Sequence, residues 1–163
     1  MTSKLQALQS WVDQIAGQTQ PDSIRWCTGS DAEYQEMIEK MLTDGTLSEL
    51  NKDEYPNCYL HLSDPNDVAR VEHLTFVCTK DKEDAGPNNH WMKPDEAHAK
   101  IDALFDGCMK GRTMYVLPYC MGPINSPYSR CGVEITDSPY VVVNMKLMTR
   151  MGSKALERIE NEG

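Results

Sequence analysis

Residues 113–118 read Thr-Met-Tyr-Val-Leu-Pro, and residues 132–136 read Gly-Val-Glu-Ile-Thr. Both runs are short, rich in β-branched and aromatic side chains and bounded by turn-forming residues, which is typical of strands in the core of a sheet. We therefore predict two core strands in this part of the chain. Weaker strand signals lie at residues 24–27, 56–63 and 74–79.

Segments with helical periodicity alternate with these strands. Ser30, followed three residues later by Glu33, predicts a capping box at the start of a helix over residues 31–43. The apolar run at residues 140–151 is compatible with a buried helix or a strand, and its length favours a helix. Interleaved helices and strands indicate an α/β layered sheet. Two further helices are predicted over residues 4–16, with Gly17 as the stop signal, and from Pro94 to before Gly107.

Length and charge limit the classes of function. The chain has 163 residues, with 16 Lys and Arg against 25 Asp and Glu and a formal net charge of −9. One domain is the default at this length, and the acidic balance argues against a general nucleic-acid surface. No apolar run reaches the ~20 residues of a membrane-spanning helix, and the start of the chain resembles no signal peptide. We expect a cytosolic domain with no membrane or nucleic-acid partner.

Six cysteines lie at positions 27, 58, 78, 108, 120 and 131, and no two of them form a Cys-x-x-Cys pair. Structural zinc sites and stapled secreted domains usually carry short-spaced or dense cysteines. We therefore expect reduced, mostly buried thiols and no metal site.

Residues 107–113 (GCMKGRT) superficially resemble a phosphate-binding loop. Three residues separate the glycines instead of four, Arg follows the second glycine, and the segment precedes a strand instead of opening a helix. We interpret it as a tight turn with two cationic side chains.

The four histidines are scattered and form no identifiable catalytic pair. His61 lies between Leu60 and Leu62, which share the apolar face of a predicted strand with Cys58. The alternation of side chains therefore predicts that His61 points to solvent.

Arg70 is the most suggestive single residue. It follows a Ser-Asp-Pro turn between two predicted strands. A guanidinium in that place could bind a carboxylate through two hydrogen bonds, or it could form an ordinary surface ion pair with Asp67 or Glu72. The residues alone leave both interpretations open.

Several motifs, in this order, resemble the N-terminal part of the GTP-dependent phosphoenolpyruvate carboxykinase family, and the resemblance covers nearly the whole chain. They lie at residues 19–23 (TQPDS), 64–65 (DP), 67–72 (DVARVE), 83–87 (EDAGP), 91–92 (WM), 107–116 (GCMKGRTMYV), 121–123 (MGP), 136–142 (TDSPYVV) and 148–152 (MTRMG).

The resemblance implies a three-layer α/β/α domain with a mixed β-sheet. It implies an enzyme that decarboxylates oxaloacetate and phosphorylates the resulting enolate from GTP, giving phosphoenolpyruvate, CO₂ and GDP. Arg70 matches the family arginine that binds the substrate carboxylate, and Glu72 matches the residue that contacts the mobile lid. Neither is assigned as a catalytic residue, and no catalytic residue and no metal ligand is assigned to this chain.

The family resemblance also implies that residues 1–163 form the substrate-side domain, while Mn²⁺ or Mg²⁺, GTP and the lid belong to a C-terminal nucleotide domain that this sequence lacks. We expect the chain alone to bind no cofactor and to be inactive. The alternative is a non-catalytic module that binds carboxylates through Arg70 or assembles with itself or a relative. Residues 140–151 are the expected face for self-association.

Overall fold

The computed structural model describes residues 2–67 and 71–162 of the chain. Its helices are α1 (Gln6–Thr19), α2 (Asp31–Thr43), α3 (Pro94–Phe105), α4 (Pro139–Met148) and α5 (Ser153–Glu162), with 3₁₀ turns at Glu72–Leu74 and Lys82–Ala85. Its strands are β1 (Ser23–Trp26), β2 (Ser48–Glu49), β3 (Tyr59–Leu60), β4 (Phe76–Val77), β5 (His90–Trp91), β6 (Thr113–Met121), β7 (Arg130–Thr136) and β8 (Arg150–Met151). In the described part of the chain, no helix is long and apolar enough to cross a membrane.

Strand β6, which contains the apolar run at residues 113–118, is the centre of the main sheet. On one edge it pairs in parallel with β1, and on the other it pairs in antiparallel with β7 along its length from Tyr115 to Met121. Strand β8 pairs in antiparallel with residues 119 and 120. The α/β class with a mixed sheet is therefore confirmed, as are the strand predictions at residues 113–118 and 132–136.

Alternate side chains of β6 enter separate cores, because successive residues of a strand point to opposite faces. Met114 and Val116 pack in a cluster with α1 and α5, which contribute Val12 and Leu156. On the other face, Tyr115 and Leu117 pack with residues of α2 and α4, namely Met37, Ile38, Met41, Val142, Val143 and Met145. This distribution is the one that a three-layer arrangement requires.

The predicted stop of the first helix is wrong, because α1 continues through Gly17 to Thr19. A Cβ on Gly17 would meet nothing within 4 Å, so no neighbouring group requires a glycine at this position of the helix. The left-handed residue that ends the helix is Gln20, at φ 54°, and its N–H donates to the Ala16 carbonyl.

Helix α2 has the predicted bounds, but its N-terminal cap differs in part. The Glu33 N–H donates to the Ser30 hydroxyl at 3.2 Å, as a capping box requires. The Glu33 carboxylate, however, accepts from the N–H groups of Thr28 and Gly29 at 2.9 and 2.8 Å. Glu33 therefore fixes the loop that leaves β1 as well as the start of the helix.

That loop crosses the connection between β8 and α5 at very short range. The Ser153 N–H donates to the Thr28 carbonyl at 3.1 Å, and the Gly152 N–H donates to Pro118 at 2.7 Å. A Cβ on Gly152, at φ 106°, would lie 2.0 Å from the Thr28 carbonyl oxygen. Only glycine allows this crossing without a backbone shift.

The strand predictions for the middle of the chain are correct in type but not in extent. The strands expected at residues 56–63 and 74–79 are only the two-residue strands β3 and β4, and Leu74 belongs to a 3₁₀ turn. The predicted loop at residues 80–92 contains the second 3₁₀ turn and β5. The helix from Pro94 and the helix within residues 140–151 are confirmed.

All six cysteines are free, but the expectation that most are buried is wrong. Cys27 and Cys120 are buried, Cys108 and Cys131 are partly exposed, and Cys58 and Cys78 are exposed. The last two directly flank the short strands β3 and β4, which too little of the chain covers to bury them.

Candidate functional site

The candidate site is the segment that contains Arg70, which itself lies outside the described residues. On its N-terminal side, Asp64 forms a turn in which its carboxylate accepts from the Asn66 N–H at 2.8 Å. The Asp64 carbonyl accepts from the Asp67 N–H, also at 2.8 Å. The chain therefore reaches residue 67 from a hydrogen-bonded turn.

On the C-terminal side of Arg70, a second turn begins at Val71. The Val71 carbonyl accepts from the Leu74 N–H at 3.1 Å and from the Thr75 hydroxyl at 2.8 Å. Glu72 is the first residue of this 3₁₀ turn, and its side chain is exposed. Among the described residues, no cation forms an ion pair with Glu72, so its carboxylate is accessible to a group from outside.

Behind the second turn, β4 and β5 form a small parallel pair. Phe76 lies opposite His90, with ring centroids 5.9 Å apart, and Val77 lies opposite Trp91. The Trp91 indole N–H lies 3.1 Å from both the carbonyl and the hydroxyl oxygen of Thr79. These contacts hold the strand that follows Glu72 in a defined place.

His61 anchors the segment on its other side, and the prediction that it points to solvent is wrong. Its Nδ1 lies 2.8 Å from the Thr46 carbonyl oxygen, and its ring lies 4.3 Å from the Tyr140 ring on α4. Leu60 and Leu62, expected on the apolar face, are exposed instead. With β3 only two residues long, no regular alternation continues to residue 61.

The acceptor of His61 is itself held by a turn. The Asp44 carboxylate accepts from the Thr46 N–H at 2.9 Å. Hydrogen bonding to the side chain and the backbone of Thr46 lowers the pKa of the Asp44 carboxyl. The neighbouring Leu47 is buried in the core with α2 and α4. His61 is therefore tied to the main core, three residues before the Asp64 turn.

Residues 107–113 form a tight turn, as predicted. The N–H groups of Gly107 and Gly111 donate to the Gln18 carbonyl at 2.8 Å and to the Asp22 carboxylate at 2.9 Å. The four other N–H groups from residue 108 to 112 also have protein acceptors: Phe105, Thr19, Gly107 and Met109. A phosphate-binding loop needs free N–H groups, which this turn does not offer. Arg112 forms an ion pair with Asp137 at 2.6 Å.

Metal ligands do not converge in the described part of the chain, where no group of three His, Cys, Asp or Glu side chains could hold an ion. The metal ion that the family resemblance implies therefore does not fit these described residues.

Sequence reasoning missed His61 and Trp91 as positioning residues. Trp91 lies in the family motif at residues 91–92, which marks the residue as notable but does not indicate its hydrogen bonds to Thr79. No local signal identifies His61, because its contacts at Thr46 and Tyr140 lie 15 and 79 positions away in the chain.

Comparison with known proteins gives a consistent result. A family model described as the phosphoenolpyruvate carboxykinase N-terminal domain matches residues 10–163. Proteins named phosphoenolpyruvate carboxykinase [GTP] are similar to this chain in Chlamydia muridarum (51% identical over 156 residues, 96% of this chain) and Anaeromyxobacter dehalogenans (53% over 152 residues, 93% of this chain). The chain spans 26% of the length of each of these relatives.

Proposed function

The chain belongs to the family of phosphoenolpyruvate carboxykinase N-terminal domains, and from this premise we propose that it is the substrate-side domain of a GTP-dependent carboxykinase. The observation that carries the proposal is identity above half of the residues across nearly the whole chain with proteins of that name. The proposed reaction converts oxaloacetate and GTP to phosphoenolpyruvate, GDP and CO₂.

Arg70 is the proposed contact for the substrate carboxylate. Its guanidinium donates two parallel hydrogen bonds to a carboxylate, which fixes the orientation of the substrate as well as its position. Loss of CO₂ from oxaloacetate leaves an enolate, and the enolate oxygen then takes the phosphoryl group from GTP. Orientation is a large part of phosphoryl-transfer catalysis, so an arginine that only holds the substrate still accelerates the reaction.

Glu72 is the proposed contact for the lid. It is exposed, and the 3₁₀ turn that carries it is held by the hydrogen bonds of Val71 and Thr75. A carboxylate presented in this way can accept a hydrogen bond or pair with a cation of a segment that closes over the site. Closure excludes water, which would otherwise protonate the enolate to pyruvate.

The remaining parts of the active site belong, in this proposal, to a nucleotide domain that corresponds to the rest of the relatives' length. GTP and a divalent cation would bind there, since residues 107–112 commit their N–H groups to protein acceptors. We expect the 163-residue chain alone to show no GTP-dependent decarboxylation of oxaloacetate.

The direct test is a titration of the ¹⁵N-labelled chain with phosphoenolpyruvate, followed by NMR. The amides of Asp67 and Glu72 should shift, and Arg70→Ala should weaken binding roughly 10- to 100-fold, because a hydrogen bond to a charged group contributes about 1.5–3 kcal/mol. Arg130→Ala is the matched control, since Arg130 is exposed and lies on β7. Equal shifts in the wild type and in Arg70→Ala would refute the assignment.

A second candidate function, assembly, is favoured by one observation. Leu147 and Met148 at the end of α4 are 65% and 66% exposed, next to core residues of the same helix. We expect concentration-dependent self-association by light scattering, which Leu147→Lys should weaken. Leu104→Lys, on α3 at 78% exposure, is the control. A monomer at all concentrations would contradict this candidate.

A further inference from the structure

Two of the free cysteines face each other across the main sheet. Cys120 on β6 is the direct partner of Cys131 on β7, two positions beyond the pair Pro118 and Val133. In the described strand registers, no other two cysteines are opposed.

The hydrogen bonds of β6 show which kind of pair this is. The Val116 carbonyl accepts from the Cys27 N–H, and the Pro118 carbonyl accepts from the Gly152 N–H, so both point away from β7. Because the backbone groups of a strand alternate in direction, those of Cys120 also point away from β7. Cys120 and Cys131 therefore form a non-hydrogen-bonded pair, in which the Cα atoms are about 4.5 Å apart and the side chains are close.

That spacing suits a disulfide bond, for which Cα separations of about 4.4–6.8 Å are usual. The Cys120 thiol is a close enough neighbour of the Cys131 thiol to contribute to the raised pKa of Cys131. Cys120 is fully buried while Cys131 is partly exposed, so a reagent from solvent reaches Cys131 first.

Two charged groups of α5 surround the thiols. The Arg158 Nη1 lies 3.6 Å from the Cys120 Sγ, and the Arg158 Nε is paired with Glu162 at 2.9 Å. A neighbouring guanidinium favours thiolate character. Burial and the neighbouring Cys120 thiol nevertheless raise the pKa of the Cys131 thiol to about 11, so thiol reactions here should be slow at neutral pH and faster as the pH rises.

We propose that Cys120 and Cys131 form a reversible disulfide across β6 and β7, with a low-molecular-weight disulfide as the oxidant. The Cys131 thiolate attacks one sulfur of the oxidant, forming a mixed disulfide and releasing one thiolate. The Cys120 thiolate then attacks the Cys131 sulfur, closing the bond and releasing the second thiolate. The two protein thiols are oxidised, the oxidant is reduced to two thiols, and the protons of the cysteines pass to them.

Peptide mapping of the whole 163-residue chain tests this directly. The folded protein is incubated with oxidised glutathione, its remaining thiols are blocked with N-ethylmaleimide, and it is digested with trypsin without reduction. Cleavage after Arg112, Arg130 and Lys146 separates the two cysteines. A dithiothreitol-sensitive species joining peptides 113–130 and 131–146 is expected as the dominant cross-link.

Stability gives an independent readout, because a cross-link of this loop size restricts the unfolded chain. Oxidation should raise the melting temperature by roughly 5–10 °C, and reduction should reverse the rise. Cys131→Ser should abolish the shift, while Cys78→Ser, at an exposed cysteine, should retain it. The proposal is overturned if the 120–131 cross-link is absent, or no more abundant than a cross-link between the exposed Cys58 and Cys78.

Discussion

Gly152→Ala is expected to destabilise the fold strongly, because it adds a Cβ where two backbone segments cross. The Cβ would lie 2.0 Å from the Thr28 carbonyl oxygen and 2.6 Å from the Gly29 nitrogen. Both neighbours are backbone atoms, which cannot rotate away as a flexible side chain can.

The magnitude follows from two costs. The left-handed conformation at φ 106° lowers the free energy of unfolding by roughly 1–2 kcal/mol when the residue is alanine. The backbone shift that relieves overpacking adds roughly 1–3 kcal/mol, and it also strains the hydrogen bond from Gly152 to Pro118. We therefore expect the free energy of unfolding to fall by about 2–5 kcal/mol.

Two other glycines separate these costs. Gly45 has φ 81° with nothing within 4 Å of its Cβ position, so Gly45→Ala should cost only the conformational part, about 1–2 kcal/mol. Gly17 lies inside α1 in open space, so Gly17→Ala should stabilise by about 0.5–1 kcal/mol. Urea unfolding measures the free energy of unfolding of all three variants, which are compared where the slope against urea concentration is the same. A loss for Gly152→Ala no larger than that for Gly45→Ala would refute the reasoning.

Three further outcomes are expected from urea unfolding. His61→Ala should lower the free energy of unfolding by roughly 1–3 kcal/mol, through loss of the Thr46 hydrogen bond and the Tyr140 ring contact; an unchanged value would show that His61 is no anchor. The Arg25 hydrogen bond lowers the pKa of Glu36, so its contribution to the free energy of unfolding is present above about pH 4.5 and is lost as the pH falls. Glu36→Gln should therefore reduce the dependence of the free energy of unfolding on pH in the acid range. An unchanged pH dependence would contradict this expectation. Burial raises the pKa of Cys27 from 9.0 to about 12, so stability should fall as the pH rises above 9; Cys27→Ala, unlike the exposed Cys58→Ala, should reduce that fall.

Local signals predicted the elements whose boundaries depend on nearby residues. Helix α2 begins at the Ser30 cap and ends as its periodicity indicates, and β6 and β7 contain the two apolar runs. The prediction that α1 ends at Gly17 was wrong because a glycine ends a helix only where the chain then turns. Here the turn comes at Gln20.

Features set by distant contacts could not be predicted in this way. The alternation that placed His61 toward solvent assumed a long strand, whereas its position depends on Thr46 and Tyr140. For Glu33, the sequence predicted the hydrogen bond of its N–H to Ser30 but not those of its carboxylate, which accepts from the loop before Ser30. The roles of Arg70 and Glu72 came from the family motif and stay predictions.

The most direct test of the central claim, that this chain supplies the substrate-carboxylate contact of a carboxykinase, is kcat/KM for oxaloacetate in a chimera. The chain replaces the matching 156 residues of the Chlamydia muridarum relative, and Arg70→Ala is compared with Arg130→Ala. We predict a chimera with GTP-dependent activity that Arg70→Ala lowers roughly 10- to 100-fold and that Arg130→Ala leaves unchanged. A folded chimera without activity, or an Arg70→Ala chimera as active as its parent, would contradict the claim.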